Sequence, residues 1–146
     1  MKRSTGLRNS MLSSGSFKQA MAGSIITVWS GTPPASADAA IPADAVKLLT
    51  YSLNGAGGAI SFEASAVDGT LQKNAAEVWQ GQIVASGTPS FFRMQVIADS
   101  GAASLTQNRL QGTVGLQDAD MVVSSLTWTA GDERKLNFFT VTIAAG

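Results

Sequence analysis

Phe91-Phe92-Arg93-Met94-Gln95-Val96-Ile97-Ala98 is the stretch on which the fold turns. Phe92, Met94, Val96 and Ala98 fall on one side of a period-2 pattern, and Phe91, Arg93, Gln95 and Ile97 on the other. Successive side chains of a strand leave opposite faces, so strict alternation predicts a strand with one buried face. The apolar set, Phe92 to Ala98, is the predicted core face. Gly87-Thr88-Pro89 supplies the turn before it.

Working outward, the same grammar repeats. Upstream, Ile25–Trp29 is β-branched and aromatic, and Gly31-Thr32-Pro33-Pro34 ends it. Residues 33–45 are rich in Pro, Ala and Asp and read as a surface loop. Val46–Leu53 is the next strand, and Asn54-Gly55, extended by Gly57-Gly58, supplies a hairpin-type turn. Ala59–Ala64 alternates, with Ile60, Phe62 and Ala64 on one face. Asp68-Gly69 marks a turn, Lys73–Val78 suits one helical turn, and Trp79–Ser86 resumes as a strand. Downstream, Arg109–Leu116, Met121–Thr129 and Lys135–Ile143 are strands, separated by Asp118-Ala119-Asp120 and Ala130-Gly131-Asp132. Roughly eight short strands spaced about 8–12 residues apart predict an all-β domain, a β-sandwich or jelly roll, over residues 24–146. No helical stretch is long enough for parallel crossovers. Ser30-Gly31-Thr32-Pro33 recurs as Ser86-Gly87-Thr88-Pro89. Without a fixed period, that echo is reuse of a good turn rather than a repeat.

Residues 1–23 differ. Leu7 and Met11 are spaced i, i+4, as are Phe17 and Met21, with Gly15 between the pairs. Ser16 and Gln19 fit a capping box opening a short helix at Phe17, and Gly23 can end it. Helices this short are not stable alone in water and must pack on the body or on a partner. The stretch carries Lys2, Arg3, Arg8 and Lys18 and no acid, so six bases and ten acids remain, leaving the body at −4. A basic segment on an acidic body predicts an arm that docks on something acidic. The residues expected to make those contacts are Arg3, Leu7, Arg8, Met11, Phe17 and Met21. The other reading is a helix that covers one end of the sheet.

Composition removes most chemistry. Across 146 residues there is no cysteine and no histidine, so disulfides, thiolate metal sites and the commonest general base are absent. Charged residues make up 14%, below the ~25% of an average soluble domain. So thin a charge coat predicts surface hidden in an oligomer or lattice. Four basic residues without interleaved aromatics argue against a nucleic-acid partner. No stretch has the h-region of a signal peptide, and no run is apolar and long enough to span a bilayer.

The remaining candidates were weighed singly. Asp118 and Asp120 flank one residue, a pair that oxygen-ligand calcium binding would use, but the rest of an EF-hand loop is missing. Asp132-Glu133-Arg134-Lys135 reads as a self-neutralising hairpin tip. Glu63 and Glu77 would need to converge across a cleft to act as a glycosidase pair. The serines lack a histidine base, and Asn54-Gly55-Ala56-Gly57-Gly58 lacks the Lys-Ser/Thr of a phosphate loop. Trp29, Trp79 and Trp128 each sit in or beside an apolar strand, where aromatics serve the core before they serve a sugar platform. No catalytic residue, cofactor or metal site is expected, and the chain is read as a non-enzyme.

Several stretches carry a resemblance. Ser4-Thr5-Gly6-Leu7-Arg8-Asn9-Ser10-Met11-Leu12 resembles a recurrent start of small structural proteins of tailed bacteriophages. The stretch from Gly23 through Trp29 to Asp38 is similar to the same group, as are Ala75–Gly81, Phe91-Phe92-Arg93, Arg109–Gly115 and Ala119-Asp120-Met121. The resemblance implies virion membership and transfers no active-site residue. It leads to an expected role as a head decoration or cement protein, a homo-oligomer assembled in the host cytoplasm, with the major capsid protein or neck and tail proteins as partners. A neck, tail or fibre-base component and a carbohydrate-binding adhesion module are the alternatives. On the arm reading, removing residues 1–22 would abolish particle binding and leave the body folded.

Overall fold

Phe91–Val96 forms β6, an inner strand of one eight-stranded sheet in a computed structural model that describes residues 1–144. The chain runs β1 (Lys2–Arg3), α1 (Thr5–Ser13), α2 (Phe17–Ala20), β2 (Ser24–Trp29), β3 (Lys47–Leu53), β4 (Thr70–Gln72) and β5 (Trp79–Gln82). After β6 come β7 (Arg109–Gly115), β8 (Met121–Val122), β9 (Glu133–Lys135) and β10 (Thr140–Thr142). Strand makes up 34% and helix 9%, so the chain is of the β class with two short helices. The large sheet is ordered β1-β7-β6-β2-β3-β5-β9 with antiparallel neighbours, and β8 joins β7 in parallel. β4 and β10 form a separate antiparallel pair. No helix among the described residues is long and apolar enough to cross a membrane.

Register explains which side chains are buried. Leu110, Met94, Ile26 and Tyr51 are aligned across β7, β6, β2 and β3, and Phe92, Val28 and Leu49 form the next row. All seven are at most 2% exposed. Paired residues project to the same face, so these rows make one apolar floor. The β4–β10 pair brings Leu71 and Val141 onto that core. Aromatics link the layers: Phe17 meets Phe62 at 5.6 Å, Phe62 meets Trp79 at 5.6 Å, and Phe139 meets Phe92 at 5.6 Å.

Three expectations need correction. Ala59–Ala64 buries Ile60 and Phe62 as its alternation predicts, yet it is not a strand. The second edge of β3 is taken by β5, so this stretch is held by isolated bonds, such as Ile60 N–H to Ser24 O at 3.0 Å. Lys73–Val78 is a β-turn rather than a helical turn, closed by Glu77 N–H to Asn74 O at 3.1 Å. The strands expected over Met121–Thr129 and Lys135–Ile143 shrink to β8, β9 and β10, with irregular backbone between.

The N-terminal stretch is the larger correction. Lys2 and Arg3 pair with Gln111 and Leu110, adding β1 to the sheet. Leu7, Phe17 and Met21, expected to face a partner, are 0%, 7% and 1% exposed and belong to this chain's own core. The i, i+4 edges therefore point inward. Burying three such side chains contributes on the order of 5–9 kcal/mol, comparable with the whole stability of a small domain. Deleting residues 1–22 is thus expected to unfold the body, measured as loss of a cooperative urea transition. A truncated chain with an unchanged midpoint would contradict this.

Candidate docking surface

α1 is positioned by a dense set of caps. The Ser4 hydroxyl accepts from Leu7 N–H at 3.1 Å and Arg109 N–H at 3.0 Å, and donates to Gln107 O at 2.7 Å. The Asp38 carboxylate accepts from Thr5 N–H at 2.7 Å and its hydroxyl at 2.8 Å. Burial alone would raise the Asp38 carboxyl; the Thr5 bonds and the charges of Arg8 and Arg109 outweigh it and lower it. Gly6 lets α1 lie against the 106–107 backbone, since a Cβ there would come within 2.4 Å of Thr106 O. α2 opens with the predicted capping box, both halves formed by Ser16 and Gln19.

The basic side chains of this segment turn back onto the body. Lys2 Nζ donates to Ala35 O at 2.9 Å, Arg3 Nη2 to Thr142 O at 3.4 Å, and Lys18 Nζ to Glu63 O at 2.9 Å. Arg8 is exposed and donates to the Thr5 hydroxyl at 2.9 Å. These bonds end on backbone carbonyls and a hydroxyl of this chain, and none of them ends on a carboxylate. Of the six predicted contact residues, Arg8 is open to solvent, and Arg3 and Met11 are half-buried.

Met11 nevertheless lies on a groove. Together with Gly15 and Phe17 it faces Leu71, Val141 and Ile143 across an apolar cleft of about 380 Å³ between the helical segment and the β4–β10 pair. Ile143 in the lining is 51% exposed, and Leu12, next to Met11 in sequence, is 86% exposed. Neither Leu12 nor the groove follows from helical spacing, because β4 lies far away in sequence and had not been recognised as a strand.

The chemistry-bearing residues are engaged elsewhere. Glu77 accepts from Ser61 N–H at 2.8 Å, the Ser61 hydroxyl at 2.6 Å and Trp79 Nε1 at 2.7 Å. Burial pushes its carboxyl up, and these bonds with the Lys73 charge bring it below the ordinary value. Glu63 accepts from Ala75 N–H at 2.6 Å. Both carboxylates thus tie the 59–64 stretch to the 73–78 turn. Asp120 holds the Met1 ammonium at 2.6 Å and Thr113 N–H at 3.0 Å, while Asp118 adopts φ 51° in the turn. No group of three or more acids that could hold a metal occurs among the described residues. Trp79 and Trp128 are at most 2% exposed, and half-buried Trp29 stacks on Phe91 at 6.4 Å.

The sequence reading missed a buried polar layer on the sheet's second face. Lys2, Gln111, Arg93, Thr27 and Thr50 form one row across five strands. Arg93 is 0% exposed and Arg109 1%, beneath the 30–46 and 97–108 loops. Arg109 pairs with Asp99 through Nε–Oδ2 and Nη2–Oδ1, both 2.6 Å, and also donates to Ala102 O at 2.7 Å. Arg93 Nη2 donates to Gln111 Oε1 at 2.8 Å, but its Nε and Nη1 have no partner among the described residues. Burial, reinforced by Arg109, pulls Arg93 down to about 10, against the charges of Asp99 and Asp38. Phe91 sharing a face with Arg93 was the available signal, since an aromatic on the nominal solvent face suggests that both faces are covered.

Asp99 gives this layer a testable signature. Burial raises its carboxyl, but hydrogen bonds from Arg109 and Gly101 N–H and the Arg109 and Arg93 charges lower it overall. A depressed native value stabilises the fold above the ordinary value of about 3.9, and that stability is lost as pH falls through the native value. Asp99→Asn should cost about 3–5 kcal/mol at neutral pH in urea unfolding, because it leaves two guanidinium groups without a buried counter-charge. It should also flatten the loss of stability between about pH 5 and pH 2. Equal stability and an unchanged pH profile would show that the pair does not hold the layer.

No protein-family model, no curated protein and no solved structure matches this chain, so the functional reading rests on its own residues and geometry.

Proposed function

We propose that this chain is a structural protein of a tailed-phage virion, and specifically a head decoration protein that seats its β-rich body on the capsid. The observation that carries the reading is the open apolar groove beside α2, with exposed Ile143 in its lining and exposed Leu12 next to Met11 in sequence, on a chain with only 14% charged residues. Apolar surface concentrated around a groove marks an interaction site. The carboxylates of Glu63 and Glu77 are engaged by backbone and side-chain donors that build turns. Phe139, Leu71 and Val141 pack the small sheet over the large one, which supports a sandwich-like body of the kind that lattice proteins use. The resemblance of the Ser4–Leu12 and Gly23–Asp38 stretches to small phage structural proteins points the same way.

On this reading the docking edge is the Met11–Leu12 turn of α1 and the groove, while Leu7, Phe17 and Met21 hold that edge rigid from within. A partner bound there meets a preformed surface and need not order a free arm. Homo-oligomerisation on the particle follows from the local symmetry of lattices.

Quantitative mass spectrometry of purified particles tests the reading. A fixed large fraction of the major capsid protein supports head decoration. A few copies per particle would move the chain to the neck, tail or fibre base, and absence from particles would overturn virion membership. Leu12→Asp should leave stability within about 0.5 kcal/mol, as for an exposed site, while lowering occupancy on particles. Wild-type occupancy by that variant would remove Leu12 from the docking edge.

A further inference from the structure

The geometry points to a second site, away from the groove: a small pocket at the β3–β9 side of the large sheet that binds an anionic group. Tyr51 of β3, Trp128, and Arg134 and Lys135 of β9 line it, with Ser124 and Asn137. Its volume is about 230 Å³, below the roughly 300–1,000 Å³ of pockets that enclose a whole drug-sized ligand. It suits a single head group carried by something larger, or a free small anion.

The sheet register builds the site. Ser52 pairs with Gln80, so one step along the antiparallel ladder sets Tyr51 beside Gly81, and Gly81 in turn pairs with Arg134. A Cβ at Gly81 would come 2.1 Å from Thr50 O, so only glycine allows this approach.

The lining donates and does not accept charge. Among the described residues the ion pairs are Met1–Asp120 and Arg109–Asp99, so neither Arg134 nor Lys135 has a carboxylate partner. No acid lines the pocket, although the chain from residue 24 onward carries six bases against ten acids. The Arg134 guanidinium lies over the Trp128 ring at 5.6 Å, which orients it without neutralising it. Tyr51 is 2% exposed as a residue, but its hydroxyl keeps contact with solvent and makes no hydrogen bond among the described residues; burial pushes it up to about 12 while Arg134 opposes the rise. At neutral pH that hydroxyl is therefore a neutral donor. A hydroxyl donor that opens on the pocket without a protein acceptor, beside two cations without carboxylate partners, is complementary to an oxyanion.

The rim refines the ligand class. Phe138 is 89% exposed and Val122 61%, and both border the pocket. A carboxylate attached to an apolar group, as on a peptide, meets both features; inorganic phosphate meets the first alone. The inference stands whether or not the chain belongs to a virion.

NMR titration of the full chain, following the Trp128 indole N–H, tests it. The probes are N-acetylphenylalanine as its carboxylate, the corresponding neutral amide, acetate and inorganic phosphate. Saturable shifts are expected with the carboxylate probe, about tenfold weaker with the amide and in Arg134→Gln, and weaker to a smaller degree in Tyr51→Phe. Tighter binding of the carboxylate probe than of acetate or phosphate identifies a peptide-borne group; tighter phosphate binding identifies a free oxyanion and keeps the site. Tyr51→Phe retains the ring in the core, so it reads the hydroxyl without unfolding the sheet. No saturable shift with any anion, or equal affinities in the wild type and Arg134→Gln, would overturn the proposal.

Discussion

The bidentate pair between Arg109 and Asp99 is the interaction on which the outer face of this protein depends. A guanidinium and a carboxylate taken out of water lose several kcal/mol of solvation each, and only good geometry and full hydrogen bonding offset that. Here both conditions are met, and meeting them recruits distant parts of the chain. The Arg109 side chain draws in the 97–108 loop through Asp99 and Ala102 O, and reaches Ala37 O of the 30–46 loop at 3.4 Å. The two loops are also joined by Ser104 N–H to Asp38 O at 2.8 Å. The Arg109 backbone accepts from Ser4 N–H at 3.0 Å, which is where the N-terminal segment enters the sheet. One residue thus sets the roof of the polar layer and the start of α1 together.

That arrangement explains why a basic N-terminal stretch is not a free arm. Its charges find carbonyl acceptors at Ala35, Glu63 and Thr142, and its apolar edges find the core. The groove remains because α2 is short and stops before it can cover the β4–β10 pair. The groove and the fold are therefore built by the same residues, with Met11 half outside and Phe17 inside.

Much of this was legible in the residue order, and the failures share a cause. The strands at Ser24–Trp29, Lys47–Leu53, Phe91–Val96 and Arg109–Gly115 follow their predicted runs to within two residues at each end, because alternation and flanking turns are local signals, although Ala98, expected on the core face, lies exposed in the turn after β6. The Asp68-Gly69 turn has φ 48° and 72°, and the Ser16–Gln19 capping box forms as read. What local pattern cannot supply is the partner. Ala59–Ala64 has strand periodicity without a strand edge to pair with, and Thr70–Gln72 has a partner 70 residues away at Thr140–Thr142 without a marked pattern of its own. Arg93 and Gln95 looked like a solvent face because nothing nearby in sequence announces that residues 30–46 fold over them. The contact residues Leu7, Phe17 and Met21 were found as an apolar edge, but periodicity does not say whether such an edge meets its own chain or another.

Residues 1–23 are part of the fold and form one wall of the groove. Native-state hydrogen exchange of the full chain tests this most directly. The Ser4 and Met21 amides, bonded to Arg109 O and Phe17 O, should be protected to the same degree as the β6 and β7 amides and lose protection in the same unfolding event. Exchange of these amides at free-peptide rates, while β6 and β7 stay protected, would contradict the account and restore a mobile arm.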